Sequence, residues 1–307
     1  IQLFDLILSL KNKFNNADFF YLGAHTNHFN KSLIDYNVPI KTLDLKIKYF
    51  GFRWWHLFIV KNKIKSNGFN KFDLIIDLQS KLRNTLILRM IPYDYFYSST
   101  LKFSLSSKKV SFSKVKYNID DTIKNISKLI SDEIPYKSYN KDLINKKFYD
   151  EARKILPDNK YVGFSLTQGN LYRKKSWSVD KFIEVAKQVV KRNMIPVFFI
   201  QKEHVEIISL IKNQVKEAVF PEELSSLTGP ALVTALSSRL KQAITIDNGI
   251  MHMISLSNIP MIVLFGPTKS SKFAPKIDNI KILDSKKIYN STDINKISVQ
   301  DVIACLI

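Results

Sequence analysis

Cysteine is nearly absent from this chain: Cys305 stands alone. A lone cysteine excludes a disulfide within these residues and fits a reducing, cytoplasmic setting. With no second cysteine near any histidine, a structural zinc site is not expected. Long apolar runs are missing too. No stretch reaches the roughly 18 uncharged apolar residues of a membrane-spanning helix, although the hydrophobic fraction, 45%, is that of an ordinary globular protein. Acidic residues are few beside basic ones, 27 against 47, a formal net charge of +20. Clusters of arginine that read bases are not evident, so nucleic acid is not an expected partner in spite of that charge. Internal repeats and long low-complexity tracts are lacking as well.

The excess cations are overwhelmingly lysine, spread evenly among many Asn and Ile residues. Two readings stay open: the codon drift of an A/T-rich genome, or a basic surface facing anionic lipid or acidic glycolipid. The chain opens on Ile1 with "IQLFDLILSLKNKF". Leu3, Ile7 and Leu10 recur there at helical spacing, with Lys11 and Lys13 in the last turn. It is too polar and too well patterned for a signal peptide. The sequence therefore reads as starting inside a domain.

A chain of 307 residues exceeds what one hydrophobic core usually serves, so two domains are expected. The polar stretch 135–158, with Pro135 and Pro157, marks the boundary. It divides the chain into 1–145 and 146–307. In the first half "ADFFYLG" and "VPIKTLDL" read as strands, "RWWHLFIVKNKIKSN" as a helix, "KFDLIIDLQ" as a strong strand and "SKLRNTLILRMI" as a helix. Residues 98–118 read as a surface loop, and "DDTIKNISKLISDEI" as an amphipathic helix. The second half alternates more cleanly. "KYVGFSL", "MIPVFFI", "AITI" and "PMIVLF" read as strands. "SVDKFIEVAKQVVKRN", "EHVEIISLIKNQV", "ALVTALSSRLKQ" and "GIMHMISLS" read as the helices between them, with Ser178 a candidate N-cap. Strand and helix alternating over short connections predict a doubly wound α/β domain, whose ligands bind at the carboxyl ends of the strands.

Three stretches carry candidate chemistry. In "ITIDNGIMHMISLSNIPMIVLFGPT", residues 244–268, Asp247 falls at the carboxyl end of a strand. Gly249 permits a tight turn and a close backbone approach. The helix that follows points free N–H groups at the same spot, and His252 falls in its first turn. An acid for hydroxyls, a helix start for phosphate and a histidine for either suit a nucleotide-sugar. A β-hairpin around Asn248-Gly249 is the structural alternative, and His252 alone would read as a core histidine. In "SLTQGNLYRKKSWS", residues 165–178, Arg173, Lys174 and Lys175 lead to Trp177. They read either as neutralising a diphosphate or as a solvated basic loop. Glu203 or Glu206, after "VFFI", could take ribose hydroxyls, or be helix-surface charge. Asp77 and Gln79 make a weaker, comparable site in the first half, and His25 and His28 read as loop.

Together these stretches resemble glycosyltransferase family nine, the lipopolysaccharide heptosyltransferase group. "TIDNGIMHMISLSNIPMIVLFGPT" is similar to the family's Asp-Thr-Gly-Pro-Met-His block and its Phe-Gly-Pro-Thr turn. "SLTQGNLYRKKSWSVDKFIEVAKQVV" resembles the Pro-Gly-Ser loop and Lys-Arg-Trp-Pro block, "FDLIIDLQSKLRNTLILRM" the Asp-Leu-x-x-Asp-Leu-Gln segment, and "LSSLTGPALVTALSSRLKQA" the Leu-x-Gly helix start. The resemblance implies a GT-B fold: two Rossmann-like domains facing across a cleft, here with the first domain lacking its first strand. It implies inverting, metal-independent transfer of a heptose-like sugar from a nucleoside-diphosphate donor, commonly ADP-heptose, with no cofactor. The implied acceptor is a lipid-linked envelope glycan at the inner face of the cytoplasmic membrane, with peripheral contact to its anionic surface.

Carried over by position, Lys175 would hold the diphosphate and offset leaving-group charge. Asn248 and Gly249 would offer backbone N–H groups to it, and Asp247 and His252 would contact the donor sugar or its phosphate. Glu203, or Glu206, would hold the ribose, and Thr167 and Gln168 would line the pocket. Asp77 and Gln79 would lie on the acceptor side. Asn248, Ile250 and Ser176 stand where the family has threonine, proline and arginine, and "TQG" where it has Pro-Gly-Ser. The family's Gly-Asp loop, whose aspartate is the expected base, would precede Ile1, so these residues are expected to lack it. A nucleotide-sugar-binding protein without turnover is the alternative; an epimerase would need further acid and base residues.

Overall fold

The computed structural model describes residues 1–23, 28–113, 118–158, 160–167 and 175–307. The chain forms two compact units, Gln2–Asn140 and Lys141–Ile307, with Ile1 grouped with the second.

The first unit comprises α1 (Phe4–Lys13), β1 (Phe20–Tyr21), β2 (Lys41–Thr42), α2 (His56–Ser66), β3 (Phe72–Asp77), α3 (Leu82–Arg89), β4 (Tyr93–Ser98) and α4 (Ile119–Ile130). β1 pairs in parallel with β2, and β3 with β4. Among the described residues these remain separate two-stranded sheets. An apolar cavity of about 680 Å³ lies against them, lined by Leu6, Leu10, Phe20, Leu74 and Ile76 among others. α4 shows how its sequence makes a helix. The Asn118 side chain accepts from the Asp120 N–H, Asp120 and Asp121 occupy the first turn, and Ile123, Ile126 and Leu129 form the buried stripe. Ser131, in the left-handed region at φ 59°, ends it.

The second unit continues with α5 (Lys146–Ile155), β5 (Tyr161–Ser165), α6 (Val179–Lys191), β6 (Ile195–Phe198), α7 (Val205–Gln214), α8 (Pro221–Leu224), α9 (Pro230–Ser237), β7 (Leu240–Ile246), α10 (Gly249–Ser255), β8 (Met261–Phe265), α11 (Ser270–Phe273), β9 (Ile280–Asp284), α12 (Ser285–Tyr289) and α13 (Val299–Ile303). Its strands form one parallel sheet in the order β6-β5-β7-β8-β9. The sheet's central strands are buried along their whole lengths, β5 and β8 without exception, which is why they read as continuous apolar runs. Phe164 stacks on Phe198 at 4.8 Å between centroids, and Phe198 on Phe220 at 5.7 Å. Trp177, only 1% exposed, closes the same core and donates from Nε1 to the Ile297 carbonyl at 3.0 Å.

Some elements differ from the sequence-based expectation. β7 and β8 run parallel with α10 between them, which rules out the hairpin alternative at Asn248-Gly249. Ser178 holds the N-cap position of α6, but its side chain makes no capping bond. β4, α5 and β9 have no counterpart in the sequence-based assignment.

Candidate functional site

The sheet order of the second unit reverses at β5. From β5 the chain crosses to β6 on one side and later returns to β7 on the other. In open parallel sheets the crevice outside the carboxyl ends at such a reversal is where ligands sit. The residues ending β5 and β7 meet there.

Asp247 follows β7 directly and is buried. Its Oδ2 lies 2.5 Å from the Nζ of Lys175, which also reaches the Asp247 carbonyl at 3.3 Å. Both side chains are largely shielded, at 13% and 8% exposure, so this ion pair is screened far less than a surface one. Lys175 also lies 5.9 Å from the Phe273 ring centroid. Two residues on, Trp177 is buried in the core of the second unit. Asn248 caps α10: its Oδ1 accepts the Met251 N–H at 2.9 Å. Its Nδ2 donates to the Ser165 Oγ at 2.8 Å and the Thr167 carbonyl at 3.0 Å, which ties the end of β5 to the end of β7. Gly249 is not in the left-handed region, and a Cβ there would meet only the Met253 Cε, at 3.9 Å. The glycine thus keeps the space before α10 open, where the sequence suggested a turn requirement.

Burial pushes the His252 imidazole down to about 4. The Asp247 carboxylate pulls the other way, while Lys175 adds to the lowering. The imidazole is therefore neutral near pH 7 and able to donate from one nitrogen and accept at the other. On the neighbouring strand, Gly266 follows β8 where a Cβ would meet the Ile294 Cβ at 2.8 Å, its backbone N at 2.9 Å and the Thr292 carbonyl at 2.9 Å. Only glycine fits that approach. The Thr268 Oγ1 beyond it is buried without a hydrogen-bond partner.

Glu203 lies in the turn after β6 and Glu206 in the first turn of α7, both exposed. Gln168, Gly169, Arg173 and Lys174 lie outside the described residues, as does His25. In the first unit Asp77 is buried at the end of β3. It accepts from the Gln79 and Ser80 N–H groups at 3.0 and 3.2 Å, and from Thr85 and Ser98 hydroxyls at 2.5 and 2.8 Å. Its lone pairs go to joining β3, α3 and β4. Gln79 is exposed and accepts from Asn84 Nδ2. Among the described residues, no group of three or more His, Cys, Asp or Glu side chains is placed to hold a metal ion, and no helix is long and apolar enough to cross a membrane.

Residues 62–303 match Glycosyltransferase family 9 (heptosyltransferase). The chain belongs to glycosyltransferase family 9. Its fold is shared with solved structures at low identity. A glycosyl transferase family 9 protein from Veillonella parvula superposes with TM-score 0.70 at 17% identity, covering 99% of this chain and 91% of that one. The E. coli heptosyltransferase WaaC with ADP gives 0.66 at 12%, covering 99% and 94%. The UDP-GlcNAc 2-epimerase of Methanocaldococcus jannaschii gives 0.55 at 12%, covering 99% and 88%. These likenesses establish the GT-B fold. Comparison with curated proteins returned no match.

Four residues of this family 9 chain escape a sequence-only reading. Ser165 and Phe273 meet Asn248 and Lys175, and Thr268 carries its unpartnered hydroxyl after β8. Glu222 is the fourth. Burial raises its carboxyl, Glu203 raises it further, and the Lys202 N–H donates to it. "FPEEL" carries no signal of that proximity, because α8 meets the end of β6 only through the fold.

Proposed function

We propose that the chain transfers a heptose-like sugar from a nucleoside-diphosphate donor, with ADP-heptose as the model substrate, to a lipid-linked envelope glycan. The observation that carries this reading is the Lys175–Asp247 pair at the reversal of the parallel sheet. In this reading the donor's diphosphate takes the Lys175 ammonium from Asp247, and the released carboxylate accepts from a sugar hydroxyl. The acceptor hydroxyl's oxygen attacks the anomeric carbon from the face opposite the diphosphate, and its proton passes to a general base or to solvent water. The bond from that carbon to the phosphate oxygen breaks, the nucleoside diphosphate leaves with the electron pair, and configuration inverts. Lys175 supplies the cation that offsets the leaving-group charge, so the proposed reaction needs no metal. Neutral His252 contacts a phosphate or sugar oxygen as a donor, and Asn248 and Gly249 present the start of α10. Thr167 and Gln168 are assigned to the pocket by the family resemblance, Gln168 lying outside the described residues. Glu203, with Glu206 as the alternative, reaches the ribose. Asp77 and Gln79 belong to the acceptor-side half by position, Asp77 through the shape it gives that half.

Calorimetric titration with ADP, UDP and ADP-heptose tests this. ADP and ADP-heptose should bind, and Lys175→Ala should weaken both by roughly 10- to 100-fold, the worth of a hydrogen bond to a charged group. Equal affinity in the variant would sink the proposed pocket. Binding without release of ADP in the presence of acceptor would support the second reading, a nucleotide-sugar-binding protein without turnover.

A further inference from the structure

The connection from β8 to β9 carries a ring that the donor reading leaves without a task. Between Gly266 and Asn279 the only aromatic residue is Phe273, and the cations Lys269, Lys272 and Lys276 precede the first acid, Asp278. Phe273 ends α11 and is half-buried. Two ammonium groups approach its ring. Lys272 Nζ lies 4.9 Å from the centroid and Lys175 Nζ 5.9 Å. An aromatic face is negative and draws cations, so the ring is fixed beside the group assigned to the donor's diphosphate.

The support of the ring is built into the fold. Before α11, Gly266 packs so closely on Thr292 and Ile294 that only glycine fits. Within α11, the buried Ser270 donates from Oγ to Asp284 Oδ2 at 2.6 Å, and Asp284 also accepts the Lys286 N–H at 3.0 Å. The Phe273 N–H then donates to the Lys269 carbonyl at 3.2 Å, and the Ala274 N–H to the Ser270 carbonyl at 2.9 Å. A ring so anchored loses little freedom when something packs on it. Sheet order gives it a place along a donor. The strands run β6-β5-β7-β8-β9, about 4.8 Å apart. Lys175 meets Asp247 at the end of β7. Glu203, assigned to the ribose, follows β6 on one side, and Phe273 follows β8 on the other. A nucleoside-diphosphate sugar has its diphosphate in the middle. With the nucleoside toward β6, the sugar lies toward β8.

We propose that Phe273 is the platform for the donor's sugar, its ring packing on the C–H face of that sugar while Lys175 holds the phosphates. One face of a sugar ring presents C–H groups, apolar and weakly positive, and an aromatic face is apolar and negative. The proposal rests on the donor reading and adds to it a sugar-binding residue that sets where the anomeric carbon stands beside the phosphate. A ring that only shielded Lys175 would act on the diphosphate and leave the sugar untouched, so the two roles separate in binding.

Calorimetric titration of the full chain with ADP and with ADP-heptose reads the two roles apart. Phe273→Leu keeps apolar bulk and removes the aromatic face. It should weaken ADP-heptose roughly threefold to tenfold more than it weakens ADP. Phe273→Tyr keeps the face and should bind both ligands as the unaltered chain does. Circular dichroism checks that both variants keep their fold. Without any substitution, the heptose C–H proton resonances should move upfield on binding, under the ring current of Phe273. An equal loss of ADP and ADP-heptose affinity in the Leu variant would mean that the ring serves Lys175 alone, and would overturn the proposal. So would unchanged ADP-heptose affinity in that variant, or heptose resonances that stay in place on binding. Failure of the donor reading looks different: the unaltered chain would then bind neither ligand, and the proposal would fall with it.

Discussion

Lys175 and Asp247 form the charge pair on which the proposed donor site rests, and each holds the other in a largely shielded place. Removing one partner of such a pair leaves the other uncompensated. Lys175→Ala should therefore cost about 3 kcal/mol of stability, read from the urea midpoint. Because the Lys175 charge helps to hold down the His252 proton affinity, the same change should move the His252 titration upward from about 4, seen in the imidazole proton resonances by NMR. His252 also gives the fold a pH dependence of definite sign. Its proton affinity is lowered from 6.5 to about 4 by burial. Between those values the unfolded chain takes up the proton and the folded chain does not, so stability is full above about 6.5 and falls as the pH drops toward 4. His252→Asn should flatten that slope in urea unfolding measured between the two values.

At the scale of the element, the connection from β3 to α3 depends on one carboxylate. Asp77→Ala would strand the hydroxyls of Thr85 and Ser98 and the N–H groups of Gln79 and Ser80. A loss of about 3 kcal/mol is expected, at 1–3 kcal/mol for each buried group left unsatisfied with some recovered by Thr85–Thr100 pairing. ADP affinity should stay unchanged, because the proposed donor pocket is built from residues of the other unit. Gly266→Ala would drive a methyl into the backbone of Thr292 and Ile294, and overpacking of this kind costs roughly 1–3 kcal/mol. Denaturant midpoints check both. The elements missed by a sequence reading have physical reasons. β4 is aromatic-rich, but Asp94 interrupts it; Lys71, which pairs with that carboxylate beside the β3–β4 pair, answers its charge. β9 lies at the sheet edge and carries Lys281 and an Ile282 that is 38% exposed, so no continuous apolar run marks it. α5 buries only Phe148 and Ala152, one turn apart.

For the molecule as a whole, the formal charge of +20 acts against the compact state through self-repulsion. Several recorded ion pairs, such as Lys41–Asp18 and Lys71–Asp94, sit on the surface, where each is worth little. Raising salt from low concentration to about 0.15 M should therefore stabilise the fold, since screening then reaches across about 8 Å. The urea midpoint should rise over that range; a fall would mean that attractive pairs outweigh the repulsion.

The order of apolar runs and helical periods in the sequence was enough to determine a parallel α/β architecture in the second unit. Burial on both faces of such a sheet leaves its mark on nearly every residue of the inner strands. The block from Asp247 to His252 and the strand-and-loop segment before Trp177 were likewise legible as site candidates, because strand ends and helix starts are local events. What the tertiary structure alone decided is which polar groups meet. Lys175 and Asp247 are 72 positions apart, and Asn248 reaches Ser165 across 83. Asp77, similar to Asp247 as a strand-end acid, is instead consumed by its own neighbours. Periodicity reports which face of an element is buried; only the parallel pairing of β5 with β7 sets which side chains share the space at their ends.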